Sequence, residues 1–430
     1  MLWRAITFHN LPENKDNKFE QEIEVEGHLI DSMILTKIFD RIMDLGGDFE
    51  VLEFRIGKRK KDYSYAKLVV KGKNRDHLNV LLEEVHRLGA YSPRINEVKL
   101  VPAPDDKVLP DDFYSTTSHP TYILINGKWI EVLDQMMDKV IVVDKELNSA
   151  RCKFINEVKR GDLIVVGEEG IKVKPPERPR EGAVIFEFMT SKASSEKPSA
   201  SLVRQIAKDM YEIKDKGGKI AVVAGPAIVH TGAAPSFAKM IKLGYVDALL
   251  SGNALAVHDV EYALFGTSLG MSIENGLTSL KGYRNHLAAI NEIMKVGSLY
   301  EAVKKGVLKK GIMYECIMNN VPFALAGSIR DDGPLPDVIT DVIEAQKRYK
   351  ELLKDVKLVI MLASTLHSIA VGNLLPSTMK VVCVDINPAV TIKLMDRGTA
   401  QAAGIVSDVG AFLPLLVNEL EKYPIKNNRY

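Results

Sequence analysis

Apolar positions along this chain recur with changing rhythms. Ile23 and Val25 alternate with glutamates, the two-residue period of a strand with one buried face. From Leu29 to Leu45 the period lengthens: Ile30, Met33, Ile34, Ile38, Ile42 and Met43 share one side of a helix, and Gly46-Gly47 stops it. Strands are predicted near Phe49–Ile56 and Tyr63–Val70, a second helix from Arg75 to Leu88 closed by Gly89, and a last strand at Val98–Val101. That order is the split βαβ, ferredoxin-like pattern. Pro102-Ala103-Pro104-Asp105-Asp106 then reads as a linker, and no helical period follows before Arg180. Tyr122–Ile125 and Lys128–Val132 flank Asn126-Gly127, a strong hairpin signal. Val140–Val143 and Leu163–Val166 add strands, with Gly161-Asp162 and Gly167 as turns. A small barrel or sandwich is expected, ending in Pro175-Pro176-Glu177-Arg178-Pro179-Arg180.

From Glu187 the pattern changes again. A helix at Leu202–Lys216 places Val203, Ile206, Met210 and Ile213 on one face, and Gly217-Gly218 ends it. Short apolar runs then alternate with helical stretches: Ile220–Ala224, Ala248–Leu250, Phe323–Ala326, Leu358–Leu362 and Val381–Val384. A parallel sheet buried on both faces requires such runs. The expected class is α/β, with a doubly wound C-terminal domain at 183–430, preceded by a ferredoxin-like α+β region at 1–104 and a small β-rich domain at 105–182.

Composition narrows the function. With 46% hydrophobic and 26% charged residues and a net charge of +1, the chain reads as a soluble globular protein without the concentrated basic surface a nucleic-acid partner needs. The one basic run, Lys58-Arg59-Lys60-Lys61, lies between two strands and reads as a solvated loop. There is no apolar signal region at the start and no stretch long enough to cross a bilayer, so no membrane partner is expected and the expected setting is cytoplasmic. Cys152, Cys316 and Cys383 lie far apart without histidines at ligand spacing, so neither a metal site nor a disulfide frame is expected.

In a doubly wound sheet, ligands bind beyond the carboxyl ends of the strands. After Leu358–Leu362 comes Ala363-Ser364-Thr365-Leu366-His367-Ser368, opening a helix whose free N–H groups suit a phosphate. The next strand ends at Asp385, 385 − 363 = 22 residues after Ala363, where a dinucleotide site places its ribose acceptor. No Gly-x-Gly-x-x-Gly accompanies it, and Ser364 as a helix cap with Asp385 opening a turn into Asn387-Pro388 stays an alternative. Other strand ends pair small with polar residues: Gly225-Pro226 with His230-Thr231-Gly232, Ser251-Gly252-Asn253-Ala254, Gly327 to Pro334, and Ser407-Asp408-Val409-Gly410.

Three of these stretches are long enough to be specific: Gly218–Gly232 (GKIAVVAGPAIVHTG), Ser251–Asp259 (SGNALAVHD) and Ala326–Pro336 (AGSIRDDGPLP). Through them the chain resembles, over essentially its whole length, the archaeal alternative type of ornithine cyclodeaminase. That family is similar to the C-terminal half of cyanobacterial arginine dihydrolase/ornithine cyclodeaminase and contains the region named after bifunctional lysine-oxoglutarate reductase/saccharopine dehydrogenase. The C-terminal domain is more distantly similar to the Rossmann-like NAD-binding fold of deoxyhypusine synthase. The resemblance implies a tightly held NAD, reduced and reoxidised in place, conversion of L-ornithine to L-proline and ammonia, and a homo-oligomer. Carried onto matching positions, it implies cofactor contacts from Asn253, Ala254, Asp332, Ser364, Thr365, Leu366, His367, Asp385, Asp408 and Val409.

That reaction needs a proton acceptor and a partner for the substrate carboxylate. Arg284 suits the carboxylate through a bidentate pair, and Glu274 or Lys281 the protons; a solvated loop and helix start is the alternative for the same stretch. Ser194-Ser195-Glu196-Lys197 is a second candidate, while His230 and His258 are expected to cap or pack. Two rivals remain open: another NAD-linked amino-acid enzyme of the lysine or saccharopine type, and a non-catalytic NAD or amino-acid sensor.

Overall fold

The computed structural model describes residues 19–29, 33–58, 62–92, 96–144, 146, 149–174, 200–273, 282–331, 333–397 and 402–425. Two compact units result, Met1–Gly182 and Ala183–Tyr430.

In the first unit, β1 (Glu20–Gly27), β2 (Asp48–Arg55) and β3 (Ser64–Lys71) form an antiparallel sheet in the order β1-β3-β2, with α1 (Ile34–Asp44) and α2 (Arg75–Arg87) contributing to its core. The two sequence rhythms meet there: Ile23 and Val25 from β1 and Leu68 from β3 pack with Ile38, Ile42, Leu81 and Val85 from the helices. The last strand of the ferredoxin-like pattern forms as β4 (Lys99–Pro102), but it joins a different sheet. Besides β3, what pairs with β1 among the described residues is a two-bond bridge between Glu24 and Tyr91 (2.7 and 2.8 Å). The reason is physical: the apolar pattern of four residues says that a strand forms, not which edge receives it.

The receiving sheet contains β5 (Thr121–Ile125), β6 (Lys128–Leu133), β7 (Val140–Asp144), β8 (Ser149–Lys153), β9 (Leu163–Val166) and β10 (Ile171–Val173), ordered β10-β5-β6-β8-β7-β9-β4. Asn126 and Gly127 turn between β5 and β6 with φ of 51° and 70°, the paired left-handed conformations of a type I′ hairpin. Sequence reading missed β8 and β10: one is polar apart from Ala150 and Cys152, the other spans three residues.

The second unit opens with α3 (Ala200–Asp215) and β11 (Lys219–Ala224), then α4 (Ala227–His230), α5 (Ala234–Lys242) and β12 (Ala248–Gly252). Next come α6 (Asn253–Phe265), the hairpin of β13 (Thr267–Ser268) and β14 (Met271–Ser272), α7 (Asn285–Val296), α8 (Leu299–Lys304) and α9 (Ile312–Met318). The remainder alternates: β15 (Phe323–Ala326), β16 (Val338–Ile339), α10 (Val342–Leu352), β17 (Val356–Leu362), α11 (Thr365–Gly372), β18 (Lys380–Asp385), α12 (Pro388–Arg397), β19 (Ala402–Val406) and α13 (Val409–Leu420). Seven parallel strands lie in the order β16-β15-β12-β11-β17-β18-β19. The interior of this sheet is almost wholly buried, as the unbroken apolar runs require.

From β11 the chain winds outward through β12, β15 and β16, then returns to β17 and winds the other way. The doubly wound expectation holds, and the switch point lies between β11 and β17, where such sheets open a crevice. There the Gly225 N–H donates to the Leu362 carbonyl (2.9 Å). A side chain at Gly225 would place its Cβ 1.9 Å from the Ala363 carbonyl oxygen, so only glycine lets the two turns meet. Among the described residues no helix is long and apolar enough to cross a membrane.

Candidate active site

On one side of the switch point, three turns follow β17, β18 and β19. Ser364 is the N-cap of α11 but makes no capping bond; its hydroxyl pairs with His367 Nδ1 (3.1 Å), so the first N–H groups of α11 are left uncapped by it. Thr365 and Leu366 are exposed. The His367 ring lies against Gly252, where a Cβ would stand 2.6 Å from the imidazole carbon. Burial lowers the proton affinity of His367, with Asp331 pulling the other way. Tyr349, its aromatic neighbour at 6.4 Å, donates from its hydroxyl to the Ser251 carbonyl (2.6 Å).

Asp385 ends β18 almost fully buried, and its Oδ1 accepts the Asn387 N–H (2.8 Å). No described residue bonds its other oxygen. The carboxylate thus opens a turn and keeps an acceptor available. Asp408 caps α13 by accepting the Gly410 N–H (2.7 Å), and Val409 behind it is buried. A Cβ at Gly410 would come 2.9 Å from the Cβ of Thr231, which brings the β19 turn against the turn that follows α4.

On the other side, Asn253 spends both ends of its carboxamide inside the protein, accepting the Leu335 N–H (3.1 Å) and donating to the Gly333 carbonyl (3.4 Å). Ala254 beside it is half-buried. Six residues beyond the ends of β11 and β12 a polar cluster forms. His230, six residues beyond β11, pairs through Nδ1 with the Ser268 hydroxyl (2.6 Å). Its ring meets that of His258 edge-on, with centroids 4.7 Å apart. His258, six residues beyond β12, is bonded through Nδ1 to Glu261 Oε2 (2.9 Å). Glu261 is fully buried and also accepts the Thr267 hydroxyl (2.9 Å) and the N–H groups of Leu269 (3.2 Å) and Gly270 (3.0 Å). Burial pushes this carboxyl up, but the bonds from His258, Gly270 and Thr267 outweigh it and hold the group below the usual carboxylate range. His230 has no such partner, and burial, with His258 nearby, lowers it to about 4.

Sequence reasoning weighed the two histidines singly and passed over Glu261. The signal was there: His258 and Glu261 stand three apart, on one face of a helix otherwise rich in apolar residues. Of the residues expected to move protons or hold the substrate, Arg284 is exposed at the start of α7, while Glu274 and Lys281 lie outside the described residues, as do Asp332 and the Ser194–Lys197 stretch. Ile273, just before Glu274, touches the Gly232 position beside His230. Among the described residues no group of three or more histidine, cysteine and acidic side chains is arranged to hold a metal ion.

The parallel order, the switch point and the polar strand ends define a Rossmann-like α/β protein. Residues 204–416 match the C-terminal Rossmann fold of ArgZ-like arginine dihydrolases, 120–203 the first region of that C-terminal part, and 20–119 the LOR/SDH bifunctional enzyme conserved region. The ornithine cyclodeaminase of Methanocaldococcus jannaschii is 59% identical over 409 residues, covering 94% of this chain and 97% of that one. The chain belongs to the ornithine cyclodeaminase family. Two longer cyanobacterial-type structures are also similar. Apo ArgZ, an arginine dihydrolase from cyanobacteria, is 41% identical with a TM-score of 0.83, over 94% of this chain and 58% of that one. AgrE in ternary complex with ornithine and NAD+ is 41% identical with a TM-score of 0.51, over 96% of this chain and 60% of that one.

Proposed function

We propose that this chain converts L-ornithine to L-proline and ammonium with an NAD that stays bound throughout the cycle. Membership of the family carries this reading. The crevice supports it, because its residues suit a dinucleotide. Gly225 lets the β11 turn close against the turn that opens α11, the α11 N-terminus offers N–H groups for a pyrophosphate, and Asp385 keeps an acceptor oxygen for a ribose diol. Ser364, Thr365, Leu366 and His367 would hold the pyrophosphate, Asp385, Asp408 and Val409 the adenosine end, and Asn253, Ala254 and Asp332 the rest.

When bound, NAD would supply a hydride acceptor and donor for the substrate Cα, so that the reaction is redox-neutral. The protein must neutralise an amine, let the δ-nitrogen bond to Cα, and release the α-nitrogen. Arg284 as the carboxylate anchor, with Glu274 or Lys281 moving protons, belongs to this reading, as do homo-oligomeric assembly and a cytoplasmic setting. Ornithine given to the protein should yield proline and ammonium in equal amounts, with no accumulation of reduced-nicotinamide absorbance. Reduced nicotinamide accumulating without proline would mean an amino-acid dehydrogenase, and binding of both ligands without turnover would mean a sensor.

A further inference from the structure

The dinucleotide reading leaves one buried polar chain unused: Ser268, His230, His258 and Glu261, with Thr267 and Asn285 behind them. Asn285 donates to the Thr267 hydroxyl (2.9 Å), which donates in turn to Glu261. A fully buried carboxylate is costly unless its lone pairs are met. Glu261 accepts two backbone N–H groups and a hydroxyl beside the His258 bond, so its charge is met from several sides. What the histidine adds is a partner able to change charge. With its Nδ1–H given to Glu261, the His258 lone pair sits on Nε2, for which no described residue is a hydrogen-bond partner, and the side chain is still 12% exposed. His230, lacking a carboxylate, is the neutral wall against which that ring is set.

Position gives the pair its meaning. In the crevice, the acid after the second strand, Asp385, belongs to the β17–β19 half and draws the adenosine end there. The reactive end of the cofactor then falls toward β11 and β12, whose strand ends carry the two histidines. Resting on the cyclodeaminase reading above, we propose that the His258–Glu261 pair is the proton-transfer site for the substrate's amines, with Glu261 and His230 as positioning residues. The δ-ammonium gives a proton to His258 Nε2, and the freed lone pair forms the new C–N bond at Cα, already at the imine level. The same proton passes to the α-nitrogen. His258 then takes a second proton from the bonded δ-nitrogen, whose lone pair forms the ring C=N bond as the α-nitrogen leaves as ammonia with the electron pair of the broken C–N bond. That proton returns to the ring nitrogen once Cα is reduced. His258 ends as it began, and Glu261 balances the charge it carries in between.

The test uses the full-length protein with its cofactor. Diethyl pyrocarbonate acylates accessible neutral imidazoles; peptide mass mapping should find His258 modified in wild type and protected by saturating ornithine or proline. His258→Gln and Glu261→Gln should lower kcat about 100-fold or more, the scale of general acid–base catalysis, with KM and NAD affinity changed less than about threefold. His230→Asn should cost about tenfold. Added imidazole should partly restore His258→Ala. Wild type that makes proline while His258→Gln keeps its kcat would overturn the proposal alone, as would His258 acylation in wild type that ornithine fails to slow. Wild type that makes no proline would overturn the functional reading beneath it.

Discussion

Either side of the β11–β17 seam, the carboxyl edge of the second unit's sheet is assembled in a different way. Beyond β17, β18 and β19 the polar residues serve turns of their own: Ser364 pairs with His367 three residues on, Asp385 accepts from Asn387, and Asp408 accepts from Gly410. Beyond β11 and β12 the local His258–Glu261 pair is held by a network that also reaches segments far away. Ser268 reaches His230 across 38 positions, Asn253 holds Leu335 across 82, and Asn285 supports the hydroxyl that feeds Glu261. Local turns suit a ligand gripped by backbone and one carboxylate, whereas a long-range network holds titratable rings in a set orientation, as proton transfer needs. On the reading proposed above, the adenosine end is held by one half and proton transfer falls to the other.

The most damaging change should fall on the seam itself. Gly225→Val puts a side chain where the Ala363 carbonyl already stands, and overpacking of that kind costs about 1–3 kcal/mol or more. Calorimetry should show both a lowered unfolding temperature and loss of NAD binding; a variant that binds NAD normally would remove the seam from the account. Asp385→Ala comes next, with NAD affinity down about 10- to 100-fold, a charge-assisted hydrogen bond contributing roughly 1.5–3 kcal/mol. If His258→Gln weakened NAD as much, the division between the halves would fail. Lysine, one methylene longer than ornithine, should be turned over less efficiently by about 1–3 kcal/mol in kcat/KM, and Asp385→Ala should leave that ratio unchanged.

Acid should act on stability rather than on either half's ligand. His119 and His230 are both lowered to about 4, chiefly by burial, from an unfolded value near 6.5. Between those limits the unfolded chain binds more protons. The stability these residues contribute is therefore complete above pH 6.5 and declines as pH falls toward 4. Thermal unfolding from pH 7.5 to 4.5 should show the slope, and His119→Asn should flatten it.

Local pattern explains which parts of this account were legible in the sequence. Helix and strand rhythms located α1, α2, α3 and the long strands of the second unit, and Asn126-Gly127 gave away its hairpin. Ser364 and Asp385 stood out because a dinucleotide site relates such residues by spacing along the chain, and both lie at carboxyl ends of strands in the sheet. The partner of β4 was not visible, since an edge is chosen by tertiary fit. Glu261 had a weak cue, His258 three residues before it, because α6 buries residues on several sides, Asn253, Leu255, Ala256, Val257, Asp259 and Val260 among them, and no polar face stands out. Its buried partners, Thr267, Leu269 and Gly270, come from the hairpin that follows the helix.

Ornithine deuterated at Cα tests the central claim most directly, that a cofactor gripped by one half serves chemistry performed in the other without leaving. Mass spectrometry of the proline formed should find most of the deuterium still at Cα. Proline that forms with its label wholly lost to solvent would contradict the account, because the hydrogen would then have left as a proton and not returned from the bound cofactor.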